Sequence, residues 1–392
     1  MARKATQPDR PCAVIGVGQT RHAAVRKDVN IPGLVREAAL FALEDAGLTF
    51  ADIDAVVLGK APDTFEGVMQ PELTLAGALG AADKPILRVH TAGSVGGSTA
   101  VVASYLVRSG QYERVLAVAY QKQSESNAMW ALSPKYPFLP PSVAGAGGYF
   151  APLIRRYIER TEAPDHIGLK VAVKDRLNAL KNPNAHLQIP GINEAMVRDS
   201  PMLWDPIRYL ETCPSSDGAG AIVLASEEAA AKAPGPPAWV LATGIRTEPI
   251  IRPDRDDVDP LAGANCGQEL YRKAGIENPR DEIDVAELYV PFSWYEPMWL
   301  ENLDLCDRGD GWKMVDRGDT ELGGRLPVNP SGGVLSSNPI GASGMLRFLE
   351  AAQQVRGKAG DHQVEGAKKA LGHAYGGGSQ FFAMWIVGAE PN

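Results

Sequence analysis

Two stretches of this chain spell the same order of elements, and that repetition constrains the fold more than any other feature. In residues 34–59 (LVREAALFALEDAGLTFADIDAVVLG), apolar residues recur at helical spacing up to Ala46-Gly47. A glycine in that position ends a helix. Asp52-Ile53-Asp54 then leads into Ala55-Val56-Val57-Leu58, an apolar run of buried-strand length. Residues 268–289 repeat the series: a helix, Ala274-Gly275, the pair Ile283-Asp284, and a strand. A second pair follows in the same order. A Gly-rich turn at 93–98, a helix through Val107 and a strand at Arg114–Tyr120 match Gly341–Gly344, a helix through Val355 and a strand at Lys369–Tyr375. The reading is a duplicated α/β unit, with an N-terminal half at 1–228 and a C-terminal half at 238–392. Residues 229–237 (AAAKAPGPP) read as the linker. An excursion at 121–212, rich in Pro, Gly, Asn and Trp and holding a helix at 166–181, reads as a loop domain inserted in the first half. Residues 307–320 read as an exposed excursion.

Composition narrows the function classes. The 392 residues are 45% hydrophobic and 22% charged, enough to bury a large core. The formal net charge of -8, without a Lys/Arg run, argues against a nucleic-acid partner. No apolar stretch reaches membrane-spanning length, and the polar N-terminus does not resemble a signal peptide. The four cysteines, Cys12, Cys213, Cys266 and Cys306, lie far apart without CxxC spacing. That pattern predicts four buried small hydrophobes, no metal site and a cytoplasmic location.

Four segments resemble the thiolase superfamily, in particular its sterol-carrier and lipid-transfer-protein branch. They are Gly93-Ser-Val-Gly-Gly-Ser-Thr99, Cys213-Pro-Ser-Ser-Asp-Gly-Ala219, Glu287-Leu-Tyr-Val-Pro-Phe-Ser293, and the run from Asn329-Pro-Ser-Gly-Gly through Asn338-Pro-Ile-Gly-Ala-Ser-Gly344. The resemblance implies a five-layered αβαβα sandwich of two similar halves and a homodimer. It also implies a small OB-fold and zinc-ribbon partner protein, in a heterotetramer. Coenzyme A would enter only as part of the substrate, with no other cofactor.

The departures from the family pattern bear on function. The thiolase nucleophile is a cysteine at the N-terminus of the first buried helix, and Ser94 stands there. A serine hydroxyl needs an adjacent base, and the local reading of Ser94 is an N-cap. The histidine of the family's GHP motif is replaced by Asn338, which can donate a hydrogen bond to a thioester oxygen but cannot take a proton. The HDCF segment of the sterol-carrier branch reads Tyr289-Val-Pro-Phe292. Retro-aldol cleavage of a β-hydroxyacyl-CoA needs no acyl-enzyme, only a base and donors for the enolate oxygen. Related steroid side-chain aldolases carry a catalytic tyrosine in the segment of Tyr289. A second tyrosine of theirs falls where Ser337-Asn338-Pro339 stands, and is missing.

The expected catalytic residues are therefore Tyr289 or His373 as base, with Asn338 holding the thioester oxygen. Ser94, His90, Tyr375, Gly344 and Trp294 are candidates for lining the substrate, Gly344 also for close packing and Trp294 as the start of an aromatic run (Trp294–Trp299) walling a sterol pocket. The activity expected is an aldol-lyase acting on a sterol side-chain thioester. Two alternatives stand beside it: an acyltransferase using Ser94, and a non-catalytic acyl-CoA-binding scaffold.

Overall fold

The computed structural model describes residues 10–63, 67–126, 145–249 and 254–391. Residues 127–144 of the excursion lie outside that range, as does most of the polar N-terminus. Among the described residues the strands are β1 (Cys12–Gln19), β2 (Ala55–Lys60), β3 (Ile86–Val89), β4 (Arg114–Lys122), β5 (Met202–Trp204), β6 (Ile207–Arg208), β7 (Asp217–Ser226), β8 (Ala238–Thr247), β9 (Val285–Glu287), β10 (Lys369–Gly376) and β11 (Phe381–Gly388). Seven helices organise the description: α1 (Ile31–Ala46), α2 (Val95–Arg108), α3 (Gly145–Thr161), α4 (His166–Ala179), α5 (Leu261–Ala274), α6 (Tyr295–Asn302) and α7 (Ile340–Val355).

Nine strands run in the order β3-β2-β4-β7-β1-β8-β11-β10-β9, and β5 and β6 form a separate pair. The order shows the duplication. β2 pairs parallel with β4 as β9 does with β10, and β4 pairs antiparallel with β7 as β10 does with β11. Where the two sets meet, β1 and β8 share only the pairs Ala13–Trp239 and Val14–Ala238. Helices α2 and α7 pack on each other and reach strands of both sets, while α1 covers β1 and β7 and α5 covers β8 and β11 from outside. The layers are thus helix, sheet, helix, sheet, helix.

The repeated sequence signals do the same work twice. Gly47 (φ 65°) and Gly275 (φ 67°) end α1 and α5 in the left-handed conformation. In the Ile-Asp pairs, one carboxylate oxygen of Asp54 accepts the N–H groups of Glu113 and Arg114 at 2.9 and 2.8 Å. One oxygen of Asp284 accepts those of Lys368 and Lys369, both at 2.8 Å. Each aspartate therefore aligns the start of the neighbouring parallel strand.

Two expectations change. The strand expected up to residue 289 stops at Glu287. There the Asn329 side chain accepts the N–H of Leu288 at 2.8 Å and takes the place of a ladder partner. Residues 307–320 include a helix, Gly311–Arg317, that buries Met314 and Val315, so that segment is not simply exposed. Among the described residues, no helix is long and apolar enough to cross a membrane.

Candidate active site

Where β9 gives out, the chain delivers Tyr289, and the turn before α7 delivers Asn338. Both are buried, at 4% and 7% exposure. The Tyr289 hydroxyl lies 3.5 Å from Asn338 Oδ1, the long end of hydrogen-bond distance. The Ser343 hydroxyl, one turn into α7, donates to the same oxygen at 2.7 Å. On its other side, Asn338 Nδ2 donates to Cys213 Sγ at 3.1 Å. One amide thus joins a phenol, a hydroxyl and a thiol, and its second N–H hydrogen remains available to a ligand.

Residues 176–216 hold these segments in place. Cys213 N–H donates to Pro291 O at 2.9 Å, and Ser293 N–H to Glu211 O at 3.0 Å, tying the stretch after Tyr289. His186 N–H donates to Ser337 Oγ at 2.9 Å, and Leu187 N–H to Ser336 O at 3.0 Å. The His186 ring holds Ser216 Oγ at 2.8 Å, and that oxygen accepts Asn338 N–H at 3.1 Å. From α4, Arg176 donates to the carbonyls of Leu210, Thr212 and Leu335.

Burial sets the protonation states. It raises the Tyr289 phenol well above its ordinary value, with the neighbouring Cys213 adding to the rise. The Cys213 thiol is pushed up to about 12, again mainly by burial, while the Asn338 hydrogen bond and the Arg176 charge pull the other way. The ligand-free site therefore rests as neutral phenol and neutral thiol at pH 7.

The other expected residues fall in different places. His373 lies within β10 and is fully buried. Its Nδ1 accepts the backbone N–H of Tyr289 at 3.2 Å, and its ring packs 5.3 Å from Trp299. Burial lowers its pKa to about 3. It supports Tyr289 from behind, and its contacts are with the Tyr289 backbone and with aromatic rings, which does not suit the role of base. Tyr375 meets Tyr289 edge-on at 5.2 Å and stacks on Tyr295 at 5.7 Å, joining the wall behind the phenol. Ser94 is buried at the N-cap position of α2, but its side chain makes no cap hydrogen bond. Its hydroxyl donates to Thr91 O at 2.7 Å and lies 2.9 Å from the Thr91 hydroxyl, and among the described residues no base is hydrogen-bonded to it.

His90 is exposed on the approach to α2. Gly344 is a packing residue: a Cβ there would stand 2.8 Å from Gly97 N and 2.7 Å from the Ala374 side chain. Trp294 is 2% exposed and fills the space over Gly168 of α4, packed in the core. Cys12, Cys266 and Cys306 are buried as expected, but Cys213 is only partly so. Sequence reasoning missed Cys213, Ser343, Ser216 and His186. A signal for the first was present, since Cys213 opens a polar run (Pro-Ser-Ser-Asp) instead of interrupting an apolar one.

The comparisons with known proteins bear on family and fold. Residues 249–389 match a family described as thiolase C-terminal domain-like. The chain is 31% identical over 382 residues to an acetyl-CoA acetyltransferase of Methanothermobacter thermautotrophicus, covering 94% of this chain and 97% of that one. It is 29% identical to human sterol carrier protein 2, covering 96% of this chain and 72% of the relative. Among solved structures, the "Ltp2-ChsH2(DUF35) aldolase" superposes with a TM-score of 0.84 at 27% identity, over 98% of this chain and 99% of that one.

Proposed function

Since this chain belongs to the thiolase superfamily, in its sterol-carrier and lipid-transfer thiolase-like branch, we propose that it is a carbon-carbon lyase cleaving a β-hydroxyacyl-CoA, a sterol side-chain thioester, by retro-aldol reaction. The observation that carries this is the contrast between Ser94 and Tyr289. The nucleophile's place is held by a hydroxyl already committed to a carbonyl, while a phenol and an amide meet between the end of β9 and the start of α7. Such a site is poor at forming an acyl-enzyme and suited to steering protons.

In the reaction, the β-hydroxyl loses its proton and the Cα–Cβ bond breaks. The electron pair moves into a thioester enolate, which takes a proton at its α-carbon. A ketone or aldehyde and a shortened acyl-CoA leave, and no proton is gained or lost overall. Asn338 offers its free N–H to the thioester oxygen, where charge develops. Tyr289, held neutral, serves as the acid that protonates the enolate carbon, instead of the base suggested by sequence.

The aldolase neighbour is named as a complex of two proteins, which supports a partner protein for this chain; that the partner is a small OB-fold and zinc-ribbon protein and that this chain is a homodimer are what the family resemblance implies. The test is incubation with such a partner and a sterol β-hydroxyacyl-CoA. Release of a ketone or aldehyde with a shortened thioester is expected; intact substrate under all conditions would refute the reading. Acyl transfer is a second reading, favoured by the 31% identical relative named for that activity and by the thiol beside Asn338. It predicts a covalent acyl adduct on the protein.

A further inference from the structure

We propose that Cys213 is the catalytic base of this cleavage, taking the β-hydroxyl proton while Tyr289 acts as the acid. The proposal rests on the lyase reading above and names the one group that reading leaves unassigned. Asn338 decides the roles. A hydrogen bond donated to a titratable group favours its anion, and one accepted from it favours the protonated form. Asn338 presents its N–H to the Cys213 sulfur at 3.1 Å and its carbonyl oxygen to the Tyr289 hydroxyl at 3.5 Å. Ser343, donating to that oxygen at 2.7 Å, holds the amide this way round.

Thiolate and phenol are therefore the favoured pair, and not thiol and phenolate. Arg176 adds positive charge nearby, donating to the carbonyl of Thr212 at 3.2 Å. Burial raises the pKa of both groups, and the Asn338 hydrogen bond and the Arg176 charge oppose that rise at the sulfur.

The spacing also suits the substrate. The oxygen and nitrogen of an amide lie about 2.2 Å apart, so Asn338 ties sulfur and phenol to neighbouring atoms of one group. The hydroxyl oxygen and α-carbon of a β-hydroxyacyl thioester likewise flank one carbon. Once Cys213 has given its proton to solvent, in a fraction that grows with pH, the thiolate takes the O–H proton, the Cα–Cβ bond breaks, and the enolate carbon takes the phenolic proton. The new thiol then returns its proton to the phenolate, restoring the starting pair with no co-reactant. Cys213 is suited to this among the four cysteines because the other three are buried.

The test compares wild type, Cys213→Ala and Cys213→Ser in the assembled enzyme with a cleavable β-hydroxyacyl-CoA across pH, alongside iodoacetamide labelling of Cys213 read by peptide mass. Wild-type kcat should climb with pH along the same curve as the labelling rate, and acyl-CoA should protect the thiol. Both variants should lose about 100-fold or more in kcat with KM little changed, and Cys213→Ser guards against a packing defect. Cleavage by Cys213→Ala at the wild-type rate would overturn the base assignment and leave the lyase intact. Divergent pH curves, or an acyl group found on Cys213, would overturn it too. A wild-type enzyme that cleaves nothing would instead overturn the lyase reading, and the role of Cys213 with it.

Discussion

His373 Nδ1 accepts the backbone N–H of Tyr289 at 3.2 Å, which places the imidazole proton on Nε2 and leaves the ring neutral. Burial lowers the His373 pKa to about 3. In the unfolded chain the same group binds a proton below about 6.5. Between those values the unfolded state holds the extra proton, so this group costs stability as pH falls through that window. Asparagine can present an oxygen in place of Nδ1 without titrating. His373→Asn should therefore flatten the loss of stability between pH 6.5 and 4 by up to about 1.4 kcal/mol per pH unit. Urea unfolding at several pH values measures it. An unchanged slope would show that the ring can protonate in place.

Replacing the phenol tests the acid directly. Tyr289→Phe keeps the ring that packs edge-on against Tyr375 and removes the proton. Cleavage should drop by about 100-fold or more, while acyl-CoA binding measured calorimetrically stays within a few-fold. Weakened binding at unchanged kcat would give Tyr289 a substrate-holding role instead.

Ser94 separates lysis from transfer. Its hydroxyl is donated to Thr91 O, so Ser94→Ala should leave kcat within about threefold of wild type, far short of the loss that follows removal of an acid or base. Wild-type protein incubated with acyl-CoA should show no added mass on this residue. An adduct there, abolished in the variant, would establish an acyl-enzyme.

The paired aspartates allow a test of the duplication. Each accepts two adjacent N–H groups at the start of a parallel strand. Asp54→Ala and Asp284→Ala should each cost about 1–2 kcal/mol. Because they act in separate strand sets, the double variant should lose about the sum. A strongly non-additive result in denaturant unfolding would mean that the two sets are coupled through these strand starts.

Much of this architecture is legible in the sequence because it rests on local signals. Ala46-Gly47 and Ala274-Gly275 announce helix ends, and the Ile-Asp pairs announce strand starts. The helix at 166–179 shows in its own residues. The site is harder to read, because its members come from three distant segments. Tyr289 and Asn338 lie in segments that resemble known catalytic ones. Cys213 reaches Asn338 only through the fold, and no spacing along the chain reveals that contact. His373 misleads for a related reason. The strand that holds it, β10, is legible, but not that its ring is fully buried there, away from any substrate.

Residues 186–213 belong to only one of the two repeats, yet they clasp the turns of the other through His186, Leu187, Glu211 and Cys213. Duplication supplied two equivalent scaffolds, and this clasp makes them unequal: one repeat brings the brace, the other the turns it braces. A fragment carrying only the second repeat would keep Tyr289, Asn338 and Ser343 but lose Cys213 and the bonds that align their turns.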